Sequence, residues 1–350
     1  YYYFFILTLC DITIYFFMKT RLLSLFIFLS VNSFSQITVY ENDLVGVGDL
    51  MIKAFDPNAN VSLGTTGPNQ YWDFGSLQFP SFDNLFFVDP SVTSSGSLYN
   101  NVNLAMEQGT SVSYFNKGSS GMYIHGINDT VFATPALYYP LPLTYPLTIS
   151  DGPSLVIDNV ITGALLNIAL PAATVASLTN GLANSADTAV VKILNTSNFE
   201  VDASGTMNTP LGTFDVLRLK SIKYTDSQLD IYCSDTLTGL GTWITNVPFS
   251  SIPFLGNSNN NMVEYKYEWI TNDPSAHFLI AEVIVDSLDN IMDGVSFQIN
   301  SSVSSIYNNS EKRNLIKLTD LSGKETKRQN NKLLFYEYDN GIIEKKIIVE

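Results

Sequence analysis

Along this chain, polar and apolar positions alternate in short runs broken by Gly, Pro, Asn, Asp and Ser. A two-residue period marks half-buried strands, because successive strand side chains point to opposite faces. Residues 51–55 (MIKAF) read as a strand ended by Asp56-Pro57-Asn58, and residues 85–88 (LFFV) as a buried strand ended by Asp89-Pro90. Residues 111–115 and 122–127 read as a hairpin around Asn116-Lys117-Gly118, and residues 189–194 as a further strand. The clearest hairpin runs from 198–205 through the turn Thr209-Pro210-Leu211-Gly212 and back along 214–224. Arg218, Lys220 and Lys223 punctuate that return strand and predict one solvated face. In 262–270 (MVEYKYEWI), Val263, Tyr265, Tyr267 and Trp269 face one way, and Glu264, Lys266 and Glu268 the other. Strands over 278–285 and 295–299 complete the set.

Helical periodicity is rare. Its best case is 172–183 (AATVASLTNGLA), weakened by Gly181. The pattern therefore predicts a mainly β body, an antiparallel sandwich or curved sheet with one short helix at most. Residues 135–146 hold four prolines. They are either an interdomain linker, dividing the body near 135–150, or an irregular edge crossing, since proline cannot donate into a central ladder.

The first 35 residues break this pattern by being strongly apolar. Met18-Lys19-Thr20-Arg21 opens a charged segment, 22–29 (LLSLFIFL) is a short apolar run, and Ser33-Phe34-Ser35 is a small-x-small cleavage pattern. Residues 18–35 thus have the layout of a secretory signal peptide, with Gln36 opening the mature chain. The apolar run is too short for a permanent anchor, which needs about 20 apolar residues. Residues 1–17 do not fit that layout and are expected to be an upstream over-translation; the alternative is a membrane hairpin with Asp11, Lys19 and Arg21 between two apolar runs.

Charge changes the picture at the other end. The 350 residues carry 18 Lys+Arg against 33 Asp+Glu, a net charge of −15. So acidic a chain lacks the clustered cations that phosphate contacts need, and nucleic acid is excluded as a partner. Residues 301–350 hold nine of the 18 basic residues and seven acids, so this tail is +2. Subtracting also Lys19, Arg21 and Asp11 leaves seven basic and 25 acidic residues in 36–300, a charge of −18. The break predicts a body over 36–305 and a separate C-terminal β module over 306–350. Two cysteines, Cys10 and Cys233, exclude a disulfide scaffold, and Cys233 reads as a half-buried strand cysteine.

Candidate chemistry is sparse. The two histidines, His125 and His277, lie in an alternating run and in a loop, and no nucleophile elbow, metal helix or phosphate loop is present. No catalytic residue is assigned. Glu264 and Glu268 share a strand face but stand about 13 Å apart at roughly 3.3 Å per residue, too far for a glycosidase pair. A pair assembled from different strands stays open. Asp56, Asn58 and Asn60 place oxygens at alternate positions, as loop calcium sites do, and make calcium the one candidate cofactor. Asp286, Asp289 and Asp293 form a weaker cluster.

The tail carries the most specific pattern. Leu315-Ile316-Lys317-Leu318, then residues 320–325 (DLSGKE), 334–338 (LFYEY), Asn340-Gly341 and Lys345-Lys346-Ile347-Ile348 read as three strands joined by two turns. In order and position they closely resemble the C-terminal sorting domain of type IX secretion cargo in Bacteroidota. The resemblance implies that Asp320, Gly323, Lys324, Tyr336, Gly341, Lys345 and Lys346 belong to a sorting signal. It further implies export, recognition of the tail by the type IX machinery, and a destination on the outer cell surface or beyond it. Residues 67–74 (GPNQYWDF), 145–148 (YPLT) and 205–206 with 209–220 resemble segments of other exported Bacteroidota proteins of no assigned function. Four Asp-Ser/Thr-x triplets resemble that group's O-glycosylation sequon, at Thr130, Thr188, Thr236 and Ser287.

The expected function is a surface-displayed or released β protein used for adhesion or glycan binding, with Trp72, Trp243 or Trp269 as candidate sugar-stacking rings. A polysaccharide-directed hydrolase and a structural surface-layer component are the alternatives.

Overall fold

The computed structural model describes residues 37–252, 261–276, 278–300, 315–320, 324–327, 333–338 and 343–347. The leader expected over 1–35 lies outside the described residues, as do His277, Gly323 and Gly341. The chain divides into two compact units at Gln298/Ile299.

The first unit is built on strands β1 (Leu50–Asp56), β2 (Gly67–Asp73), β3 (Ser81–Val88), β4 (Leu104–Gln108), β5 (Ser111–Gly118), β6 (Gly121–Ile127) and β7 (Thr130–Pro140). They are followed by β8 (Leu147–Thr162), β9 (Ser185–Thr209), β10 (Gly212–Ser234), β11 (Gly241–Ile244), β12 (Asn261–Ile270), β13 (Leu279–Val285) and β14 (Val295–Ile299). All fourteen join one sheet, in the order β2-β9-β10-β12-β13-β14-β1-β3-β4-β5-β6-β7, with β11 on β10 and β8 on β9. Every ladder with a resolved register is antiparallel except β2 on β9. The sheet curls. β12 and β7 are eight strand steps apart in that order. A flat sheet would separate them by about 38 Å at 4.7–4.9 Å per step. Yet the Tyr139 hydroxyl of β7 donates to Glu268 Oε1 of β12 at 2.5 Å. The two flanks face each other as in a sandwich and share one core: Met51, Leu85, Leu104, Phe115 and Leu137 on one side, and Phe199, Val201, Leu219 and Ile270 on the other. Each such side chain contributes about 1.5–3 kcal/mol on burial.

Several expectations are corrected. The first hairpin turns at Ser119-Ser120, since β5 runs to Gly118 and pairs it with Gly121. The strands expected over 189–194 and 198–205 are parts of β9, whose 25 residues pair along the 23 of β10. Two short helices, α1 (Ala164–Ala169) and α2 (Ala172–Leu178), stand where the pattern predicts at most one. Pro171 separates them in an extended conformation, and Leu166, Leu170 and Val175 cover the far half of the β9–β10 hairpin. Cys233 is fully buried in that second core. The proline-rich segment is an edge: Pro135 and Pro140 sit in β7, which ladders only with β6, and Leu137 N donates instead to the Asp151 carboxylate of β8.

The largest correction concerns the charged positions of 214–224, expected on a solvated face, together with those of 262–270. Arg218 is 2% exposed and Glu268 is 1% exposed. The outer face of β10 and β12 is covered by the segment leading from β1 to β3, where Trp72 and Phe74 meet Trp269 edge-on at 5.9 and 5.1 Å. Arg218 lies beneath it. A bulge between Arg218 and Leu219 skips Asp202 on β9 and turns its carboxylate onto the guanidinium, with bonds of 2.8 and 2.9 Å. The same guanidinium donates to the carbonyls of Leu63, Gly64 and Thr65 and lies against the Tyr267 and Trp72 rings. Gly64 has φ +73, and the Trp72 indole fills the space a Cβ there would need.

The second unit contains three antiparallel strands, β15 (Leu315–Thr319), β16 (Leu333–Tyr338) and β17 (Ile343–Ile347). Leu318, Leu334 and Tyr336 form its small core.

Candidate functional site

Between the two flanks of the curled sheet lies a cleft of about 260 Å³ with two unlike walls. Registers across β9, β10 and β12 build the first wall in rows. The deepest row is Val201, Leu219 and Glu268, continued by Glu282 on β13; the middle row is Phe199, Ser221 and Lys266; the outer row is Ser197, Lys223 and Glu264. The opposite wall, from β4 to β7, is mainly apolar: Met106, Phe115, Ile124, Ile127, Phe132 and Leu137, with Ser113 and Tyr138 beside them. Exposure falls with depth. Lys223 and Glu264 are exposed and Ile127 is 37% exposed, whereas Ser221 is 8% and Phe115 and Glu268 are 1% exposed.

The deep end is a closed polar network. Glu268 Oε1 accepts from Tyr139 and pairs with the Lys266 ammonium at 2.9 Å. Glu282 stands directly across the ladder from Glu268 and pairs with Lys53 at 2.7 Å. Two carboxylates in register repel each other, and the alternation with Lys266 and Lys53 offsets this. Burial pulls the Lys266 pKa down, but Glu268, Tyr138 and Glu282 outweigh it and hold the ammonium above the ordinary lysine value. Burial pushes Glu282 up, yet Lys266 and Lys53 leave it below the usual glutamate value. Burial, with added repulsion from Glu268, lifts the Tyr139 hydroxyl well above its ordinary value and helps raise Tyr138 to about 12. At neutral pH the network at the deep end therefore holds two protonated tyrosines and a charged lysine, of which Tyr138 and Lys266 line the cleft.

The body has seven basic residues. Lys53, Lys192, Arg218, Lys220 and Lys266 pair with carboxylates, and Lys117 donates to the Val45 carbonyl. Among the described residues of the body, Lys223 is the cation without such a partner, and it stands at the cleft mouth opposite Glu264.

The residues singled out from sequence fall elsewhere. Asp56 is buried, and its two oxygens accept the amides of Asn58 and Gln78 at 3.0 and 2.7 Å, so it closes its own loop; Asn58 and Asn60 are exposed. Asp286 likewise caps the turn at Leu288 and Asn290, while Asp289 pairs with Lys220. Among the described residues no group of three His, Cys, Asp or Glu side chains is placed to hold a metal. Thr130, Thr236 and Ser287 are exposed and Thr188 is half-buried. His125 sits half-buried at an irregularity of β6, its pKa lowered by burial. Trp72 and Trp269 are core; Trp243 is 51% exposed and tilts against Tyr232 at 5.4 Å. In the tail, Asp320 Oδ1 accepts the Lys324 amide, Tyr336 is buried, and Lys345 and Lys346 lie in β17 opposite Phe335 and Leu334.

The alternation of 262–270 put Glu264, Lys266 and Glu268 on one face, which the structure retains. Nothing local pointed to Tyr139, Ser221 or Phe132, which arrive from strands distant in sequence. Comparison with known proteins places no relative beside these features: no family model, no curated protein and no solved structure matches the chain.

Proposed function

We propose that this chain is an exported β protein whose body binds glycans in the cleft between its flanks. Export rests on the leader pattern of 18–35 and on the resemblance of the tail to a type IX sorting domain. In this reading the secretion machinery is the tail's partner and the cell surface or medium its destination.

One observation carries the binding role: the opposition of Ser197, Ser221, Lys223 and Glu264 to Ile124, Ile127 and Phe132 across a narrow cleft. A sugar ring has the same two-sidedness, with an apolar face of C–H bonds and a rim of hydroxyls. The polar wall supplies both donors and acceptors, and its charges sum to zero, which suits a neutral ligand. Trp243 offers a further ring for stacking on the body's surface.

Hydrolysis is less favoured. Glu268 is held by Tyr139 and Lys266 and Glu282 by Lys53, so neither can trade a proton without breaking the network. The test is a glycan array probed with the secreted full-length protein. Phe132→Ala and Lys223→Ala should each weaken binding of the hits by about tenfold. An array with no retained glycan overturns the binding role, and turnover of a bound glycan would return the hydrolase to first place.

A further inference from the structure

We infer that the cleft receives the terminal residue of a glycan end-on and does not run along the chain; this rests on the glycan-binding role proposed above. The cleft is blind. Its inner end is closed by Phe115, Leu137, Ser221 and Glu268, all under a tenth exposed. Behind them the core is continuous: Tyr139 packs edge-on against Phe278 at 5.2 Å, and Phe199, Val201 and Leu219 belong to the same cluster. Exposure is greatest at the mouth, at Ile127, Lys223 and Glu264, while Met106, Ser113, Phe132, Asn195 and Lys266 are half-buried.

A sugar within a chain carries glycosidic bonds at two positions on its ring, so it needs a groove open at both ends. A terminal sugar carries one. A cavity of about 260 Å³ also lies below the usual range for drug-sized ligands, roughly 300–1,000 Å³, and suits one ring better than two. The polar groups at depth match the hydroxyl that only a chain end leaves free, the one an internal residue uses for its next linkage. Ser221 and Lys266 line the cavity there. The Lys266 ammonium has three donors, and Glu268 is its one ion-pair partner among the described residues, so donors remain for a ligand oxygen. A half-buried donor that gains a hydroxyl only from a terminal ring discriminates against any capped or internal one.

The experiment uses the full-length protein and a length series of whichever oligosaccharide the array retains, from the free monosaccharide upward. The monosaccharide should compete the polymer away completely, and lengthening the chain should change Kd by less than about threefold. Capping the hydroxyls of the terminal ring should abolish binding. Affinity that climbs with each added residue, or capture of a polymer whose ends are blocked, overturns end-on recognition while leaving glycan binding intact. Failure of every saccharide removes the glycan role itself. Ser221→Leu should block the floor and abolish monosaccharide binding. Because Ser221 is buried, the same loss is sought in Lys266→Gln, with an unfolding curve for each; a folded Ser221→Leu or Lys266→Gln protein that binds as tightly as the parent counts against the floor contact.

Discussion

Tyr139 and Glu268 meet across the interior of the curled sheet, hydroxyl to carboxylate at 2.5 Å, although they stand 129 positions apart in sequence. Both are almost fully buried. The bond ties the two flanks together at the deep end of the cleft, and its carboxylate is shared with Lys266.

Removing the tyrosine hydroxyl should therefore cost stability without emptying the core. Tyr139→Phe keeps the ring against Phe278 and deletes one donor to a buried charge, a loss of about 1–3 kcal/mol in chemical denaturation. A change below a few tenths of a kcal/mol would show that the bond contributes nothing net.

The Arg218–Asp202 pair should be less forgiving. Asp202→Ala strands a buried guanidinium and is expected to cost about 3–5 kcal/mol. Arg218→Lys should recover little, because an ammonium cannot reproduce the forked contact or hold the carbonyls of Leu63 and Thr65 together. Trp72 Nε1 also donates to the Leu63 carbonyl at 2.7 Å, so release of this loop should change tryptophan fluorescence. Fluorescence and stability both unchanged in Asp202→Ala would refute the role of this pair in holding the loop.

Stability should fall at high pH through the tyrosines of the network. Their protons are held more tightly in the folded state, so their contribution is full below the ordinary value of 10 and is lost as pH rises towards the folded value. For Tyr138 that window runs from 10 to about 12. On the acid side the sign reverses: Glu282 is depressed below 4.5, so its contribution is present above that pH and is lost as pH falls through the lower folded value. Denaturation curves across both limbs check this, with Tyr138→Phe expected to flatten the alkaline one.

Cys233 should resist thiol reagents in the native protein. It is fully buried, and burial, aided by Asp187, pushes its thiol pKa up, which leaves little thiolate to react. Residue-resolved mass spectrometry should find it unlabelled until denaturant unfolds the chain. Rapid native labelling at Cys233 would mean that the second core opens readily.

Much of the architecture was legible in local pattern. Strand class, the β9–β10 turn at Thr209-Pro210-Leu211-Gly212, the shared face of Glu264, Lys266 and Glu268, and the three strands of the tail all follow from alternation and turn chemistry, which act over a few residues. Burial was not legible. Alternating charge on a strand usually means a solvated face, and at Arg218 and Glu268 it does not, because other segments cover both faces of that sheet.

The amino-acid sequence by itself determined which residues share a strand face, how the charges divide between an acidic body and a basic tail, and which segments resemble export signals. Those properties depend on periodicity, composition and order alone. Only the tertiary structure decided that Tyr139 reaches Glu268, that a bulge turns Asp202 onto Arg218, and that a polar wall faces an apolar one across a blind cleft. The physical reason is distance along the chain: sheet curvature and bulges bring together strands tens of residues apart, and no local period records which strand will lie opposite another.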